Sequence, residues 1–370
     1  MDDERMALVA LKMVRGVGDG VARALLQHFG SAAGALRATT DRLAEVDGIG
    51  HETAQRIAAD RDEAFRRAER ELSFAAKHGV RIYTPEDDAY PTRLRTCPDA
   101  PLVVYYRGTD CLNAARIVSI VGTRRCTDYG HDQTARLVEG LAAADASIVV
   151  VSGLAYGIDI SAHRSALRVG LPTVGVLAHG LDRLYPAAHR QTAFEMLAHG
   201  GLLTDFPSET NPGRELFLRR NRLIAALADA TVVVESAERG GALSTATYAH
   251  GYGRQVFAWP GRTTDEHSTG CLHLIARGRA RLVASAADLC QAMEWTHVEM
   301  TATSSSLRPS PPVPLPDNAV TRVLLAEGAM QINDLARLSN LPVREVMAVL
   351  FDLEMDGLVT TLPGGMYRLV

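Results

Sequence analysis

The residue types best suited to chemistry lie in three short segments that combine glycine, hydroxyl and guanidinium groups. They are Val121-Gly122-Thr123-Arg124-Arg125, Ser152-Gly153-Leu154-Ala155-Tyr156-Gly157-Ile158-Asp159 and Arg219-Arg220-Asn221-Arg222. That combination is suited to binding phosphate. Glycine lets the backbone turn sharply and approach an anion. A loop ahead of a helix aims amides and a hydroxyl at it, and an arginine fork grips each phosphate bidentately while staying charged. The candidate contacts are Gly122, Thr123, Arg124 and Arg125, then Ser152 and Gly153, then Arg220, Asn221 and Arg222. No G-x-G-x-x-G follows a strand pattern and no G-x-x-x-x-G-K-[ST] occurs, which excludes a dinucleotide fingerprint and an ATP P-loop. Arginines on several loops fit repeated phosphates better than one pyrophosphate, so a polyanionic strand is the favoured ligand.

The elements that must position these groups are legible around them. Ile117 to Val121 and Ser147 to Val151 are apolar, β-branched runs that read as buried parallel strands. Each is followed by a glycine-bearing loop at its carboxyl end, where open α/β sheets hold ligands. Asp159 and His163 lie four apart on the helix after Ser152 and share a face, and Glu235 ends a neighbouring strand. An acid and a base could meet there, although hydrogen bonding that shapes the loops is the stronger reading. Ser152 lacks a G-x-S-x-G context, which argues against a nucleophile. Tyr129, Tyr156 and Tyr185 fit equally as packed walls or as stacking platforms.

The order of motifs is more specific than any one of them. Ile120-Val121-Gly122-Thr123-Arg124 with Tyr129-Gly130, Ser152 through His163, Val176 through His189 and Phe217 through Leu227 come first. Val232 through Glu235, Gly241 through Ala246, Pro260-Gly261, and Gly270-Cys271 with Leu274-Ile275 follow. In this order, from roughly residue 70 to 290, the chain resembles the DNA processing protein A (DprA, or Smf) family. The resemblance implies a non-catalytic, cofactor-free protein that binds single-stranded DNA, protects it from nucleases and helps place a RecA-type recombinase on it, in natural transformation, recombinational repair or both. It further implies a homodimer formed through the core, with single-strand-binding protein as an additional partner. In the family the G-x-R and S-G loops hold the DNA backbone, which carries over to Gly122, Thr123, Arg124, Ser152 and Gly153, and the R-N-R motif carries over to Arg220 and Arg222. Ala187 departs from a frequent family lysine, leaving Arg190 or Arg183 to supply that contact. Ala178, His179 and Gly240 are further departures that touch the shape of the groove.

Composition fits this reading without deciding it. With 370 residues, 47% hydrophobic and 22% charged, the chain can bury a large core and make about two to four domains. No apolar run reaches the roughly 18 residues of a membrane span and the N-terminus is no signal peptide, so a cytoplasmic protein is expected. Five cysteines without C-x-x-C pairs argue against disulfides and a zinc site. A net charge of −4 requires phosphate binding to rest on a local basic groove. Only 5% of residues are aromatic, so contact should be mainly to backbone.

The expected fold is an α/β Rossmann-like parallel sheet core at 71–298, preceded by a helix-hairpin-helix (SAM-like) unit at 1–70 and followed by a linker at 299–317 and a winged-helix unit at 318–370. Val14-Arg15-Gly16-Val17-Gly18 and Val46-Asp47-Gly48-Ile49-Gly50 are the two hairpin turns. They read evenly as duplex DNA phosphate contacts or as a helical packing module. The third helix of the winged unit carries Glu345, Asp352, Glu354 and Asp356 against Arg344, which favours protein contact over groove reading. The rival from another class is a Rossmann-like phosphoribohydrolase, whose P-G-G-x-G-T-x-x-E motif is replaced here by Arg239-Gly240-Gly241-Ala242-Leu243-Ser244-Thr245-Ala246-Thr247-Tyr248, without the glutamate.

Overall fold

The structure is a computed structural model that describes residues 2–295, 315–355, 358–362 and 366–369. Most of the expected linker, and the tip of the C-terminal hairpin, lie outside the described residues. Two compact units divide at residue 297.

The first unit opens with helices α1 (Asp2–Met13), α2 (Asp19–Phe29), α3 (Ala32–Arg37), α4 (Thr40–Ala44) and α5 (His51–His78). The hairpin glycines Gly16 and Gly48 have φ of 88° and 80°, a left-handed conformation that glycine adopts without strain. Residue 70 lies inside α5, so helical unit and core share one continuous helix. Small residues such as Ala54, Ala64 and Ala68 let α5 pack against α1, and Leu102, Val103 and Tyr105 of the core join the same cluster.

The core follows as β1 (Arg81–Tyr83), α6 (Thr92–Arg95), β2 (Val104–Gly108), β3 (Ile117–Val121), α7 (Asp128–Ala144), β4 (Val149–Ser152), α8 (Ile158–Val169) and β5 (Thr173–Val176). It continues through α9 (Arg190–Ala198), β6 (Gly200–Thr204), α10 (Arg214–Leu227), β7 (Ala230–Val233), α11 (Ala242–Gly251), β8 (Gln255–Ala258), α12 (Thr269–Ala276), β9 (Arg281–Leu282) and α13 (Ala286–Ala292). The sheet order is β1-β2-β6-β5-β4-β3-β7-β8-β9, parallel from β6 to β9. The expected parallel sheet carries an antiparallel extension, because β1 and β2 add to the β6 edge. Every residue of β3 and β4 is buried, as strands covered by helices on both faces require.

The chain runs outward from β3 through β4 and β5 to β6, then returns to place β7 on the other side of β3. The topological switch point therefore lies between β3 and β7, where α/β sheets open a crevice at their carboxyl edge. Gly122 and Glu235 flank it.

The second unit contains α14 (Ala319–Glu327), β10 (Met330–Gln331), α15 (Ile332–Ser339), α16 (Val343–Met355), β11 (Val359–Leu362) and β12 (Met366–Leu369). Asn318 caps α14 through a reciprocal capping box with Thr321. Val320, Leu324, Leu335, Val346, Leu350 and Leu353 bury against Val359, giving the helix-helix-helix-wing order that the sequence predicts. Arg344, Glu345, Asp352 and Glu354 are exposed on α16.

Candidate nucleic-acid interface

Three strand ends build the ledge. After β3, Gly122 is hemmed in by Ile158 and by the carbonyl of Glu235, which a Cβ would meet at 2.9 Å. The Thr123 amide donates to that Glu235 carbonyl at 2.7 Å, and the Ile158 amide donates to the Thr123 carbonyl at 3.2 Å. Gly157, with φ 77°, lies so close to the Thr123 carbonyl and Arg124 that no side chain fits. The loop is thus clamped from both sides, and Arg124 emerges from it into solvent. Its guanidinium lies over the Phe217 ring of α10 at 5.0 Å, and among the described residues no carboxylate oxygen is within 4.0 Å of it. Arg125 is also exposed, and its amide donates to Thr123 Oγ1 at 3.2 Å.

The second loop behaves differently from expectation. Ser152 is fully buried and its hydroxyl donates to the Ile120 carbonyl at 2.6 Å, so it ties β4 to β3 and does not face a ligand. Gly153 sits between Asp159 Oδ2 and Arg220, which an added Cβ would meet at 2.5 and 2.6 Å. Below it Arg220 is 3% exposed and donates to the carbonyls of Gly153, at 2.6 Å, and Val176. Burial lowers Arg220 to about 10, with Asp159 opposing and Arg124 adding to the shift, so it still carries its charge at neutral pH beneath the ledge. The same burial raises Asp159, countered by Arg220 and by the Ala155 amide, which donates to Asp159 Oδ2 at 3.3 Å.

All three members of the R-N-R segment need correction as direct contacts, since Asn221 and Arg222 are buried in structural bonds as Arg220 is. Asn221 donates to Ser244 Oγ at 2.9 Å and fixes α10 to α11. Arg222 is buried on the opposite side of α10 from Arg124, where it donates to Asp205 Oδ2 at 2.6 Å and to the Asp99 carbonyl and lies 3.4 Å from Asp19 of the helical unit. Helical spacing puts residues 217 and 220 on one face of α10 and 219 and 222 on another, but only packing shows that Arg124 meets the first and Asp205 the second.

The acid and base candidates are occupied by structural bonds. Glu235, 2% exposed, accepts from the Thr127 amide at 3.0 Å and from Thr127 Oγ1 at 2.5 Å. His163 is wholly buried with Nδ1 2.7 Å from Thr173 Oγ1, which itself donates to the Val150 carbonyl, so Nδ1 carries the proton. Burial pushes His163 down to about 3, with His189 and Arg220 adding to the shift.

Phe217 beneath Arg124 has an aromatic neighbour of its own. Tyr185 lies 5.9 Å from Phe217, and Tyr156 packs edge-on against His189 at 4.8 Å, each about half exposed at 48% and 49%. Tyr129 donates to the Pro260 carbonyl at 2.6 Å. Of the arginines expected to replace the lysine absent at Ala187, Arg183 is paired with Asp182 at 2.6 Å and bonded to Asn211, whereas Arg190 is exposed.

Comparison with known proteins decides the family. Residues 81–294 match the family described as DNA recombination-mediator protein A, more than half of the chain. The chain belongs to the DNA processing protein A family. A DprA winged helix domain matches residues 306–365 and a SAM-like helix-hairpin-helix tandem residues 8–61. A DNA processing protein DprA from Mycobacterium tuberculosis is 39% identical over 332 residues, 85% of this chain and 83% of that one. DprA from Streptococcus pneumoniae superposes with a TM-score of 0.66 at 30% identity, covering 78% of this chain and 97% of that structure. DprA from Helicobacter pylori, solved for its single-stranded DNA binding mode, gives 0.52 at 29% identity over 58% of this chain and 96% of that structure. Membership of the DprA family assigns a DNA-processing, recombination-mediator role. Among the described residues no helix is long and apolar enough to cross a membrane.

Proposed function

We propose that this DprA-family chain holds single-stranded DNA by its backbone along the carboxyl edge of the sheet, shields it from nucleases and hands it to a RecA-type recombinase, with no chemical step of its own. The observation that carries the reading is Arg124, projecting from a clamped loop at the switch point, stacked on Phe217 and unpaired with any described carboxylate. Stacking pre-orients the fork and leaves its donors free for phosphate, which lowers the entropy lost on binding. The loop amides of Thr123 and Arg125 are already engaged, the first by the Glu235 carbonyl after β7 and the second by Thr123 Oγ1. They therefore shape the grip, while Arg124 and Arg125 supply the charge.

The DNA-binding mode named for the Helicobacter pylori relative supports the ligand. Homodimer formation through the core, cooperation with single-strand-binding protein and a cytoplasmic location complete the proposal. The test is nuclease protection of labelled oligo-dT, followed by recombinase filament assembly on a strand already coated with single-strand-binding protein. Wild type should protect and stimulate, and Arg124→Ala should do neither. Release of ribose-phosphate from nucleotides by purified protein would overturn the non-catalytic reading.

A further inference from the structure

On the same sheet edge, a second arginine repeats the arrangement at Arg124. Arg219 of α10 lies over the ring of Phe206, just after β6, with its guanidinium 5.1 Å from the centroid, nearly the 5.0 Å of Arg124 over Phe217. It is 44% exposed, and among the described residues its fork makes no hydrogen bond, only loose approaches of 3.7 Å to Asp205 and 3.9 Å to Asp19. Those two carboxylates already have closer partners, since Asp205 accepts from Arg222 at 2.6 Å and Asp19 accepts from Lys12 at 2.7 Å. Lys12 and Arg222 therefore hold these carboxylates more closely than Arg219 does, and the donors of the Arg219 fork stay free of hydrogen bonds among the described residues.

Arg219 and Phe206 open onto a cleft of about 350 Å³. The first hairpin turn, Arg15-Gly16-Val17-Gly18, lines it together with Lys12, Tyr105 and Asp205. Arg15 is exposed there with no ion-pair partner among the described residues. The cleft therefore presents two exposed guanidinium-bearing residues, one from the core and one from the helical unit. Two components of the first site, a guanidinium laid on a phenylalanine and a glycine-bearing turn, recur here, with Arg15 as an additional cation.

We infer that this cleft is a second phosphate position on the same bound strand, so that the DNA runs from Arg124 along the carboxyl edge to Arg219 and the first hairpin. The inference rests on the single-strand reading of Arg124. The sheet order sets the spacing, because β3, β4, β5 and β6 are consecutive neighbours. Three inter-strand steps of about 4.8 Å give about 14 Å, at most about four phosphates at the 3.4 Å stacked spacing. The helical unit then helps hold the strand through its first turn, and α10 carries both grips, Phe217 facing one and Arg219 the other.

The test is a ladder of oligo-dT lengths titrated against wild type, Arg219→Ala, Arg15→Ala and Arg124→Ala over a range of salt. Arg15 is exposed at a turn, so its variant reports on the cleft even where loss of Arg219 disturbs folding. The expected result is that wild-type affinity rises with length until both positions are filled. Arg219→Ala and Arg15→Ala should each reach their plateau at a shorter length, with about tenfold weaker binding of long strands and a salt slope reduced by about 0.7. Wild-type plateau and slope in both variants, alongside collapse in Arg124→Ala, would overturn the second position alone. Undiminished binding by Arg124→Ala would instead overturn the reading on which it rests.

Discussion

Replacing Arg222 tests whether the third segment grips a ligand or holds two parts of the protein together. Its side chain is 8% exposed, donates to Asp205 Oδ2 at 2.6 Å and to the Asp99 carbonyl, and lies 3.4 Å from Asp19. Burial opposes its charge, but Asp205, Asp19 and Asp99 more than offset this and raise its pKa. Asp205, itself 2% exposed, already has one oxygen without a partner. Arg222→Ala therefore strips a buried carboxylate of its hydrogen-bonded partner, with Arg219 only approaching it at 3.7 Å, a defect of about 3–5 kcal/mol. For a unit of this size, at roughly 2 °C per kcal/mol, the melting temperature should fall by about 6–10 °C. The double variant Arg222→Met with Asp205→Leu removes both charges and should recover most of that loss. Circular dichroism melting reads the first quantity, and the salt dependence of oligo-dT binding reads the second. If Arg222→Ala melts with wild type yet loses a salt slope of about 0.7, the equivalent of one phosphate, Arg222 touches the strand and the structural assignment is wrong.

Buried His163 makes stability depend on pH. Its folded pKa, near 3, lies below the ordinary 6.5, so the unfolded chain binds the extra proton between these values and stability is lost as pH falls through that window. From pH 6.5 to pH 5 the loss should be about 2 kcal/mol, and His163→Gln should flatten the profile when melting is followed against pH; an unchanged slope refutes the cause. Gly157→Ala forces a side chain against the Thr123 carbonyl at φ 77°. It should cost about 1–3 kcal/mol and displace Arg124, so denaturant titration and strand binding should both deteriorate. Ala187→Lys places a cation at an exposed position two residues from Tyr185, whose ring neighbours Phe217. It should tighten oligo-dT binding and steepen the salt slope by about 0.7, and an unaltered slope would put position 187 off the strand path.

The elements positioning the ledge could be read from sequence because their signals are local. β3 matches the apolar run Ile117 to Val121, and α16 matches the apolar period from Val343 to Met355. The antiparallel edge was not legible, since β1 has three residues and pairs with a strand more than twenty positions away. The fates of Ser152, Arg220 and Arg222 were not legible either. Spacing places each near the sheet edge, but only packing decides that Ser152 bonds to Ile120 and that α10 turns Arg222 toward Asp205. The pairing of Arg124 with Phe217 joins two motifs 93 positions apart (217 − 124 = 93), which a linear pattern cannot show.

The most direct test of the account is fluorescence anisotropy of labelled oligo-dT against wild type and Arg124→Ala at low and moderate salt, with a labelled duplex as control. The account predicts salt-sensitive binding by wild type that prefers the single strand and collapses in Arg124→Ala. Equal affinity of the two proteins for oligo-dT, or a wild type that ignores it, would contradict the claim that the strand is held at the β3 loop.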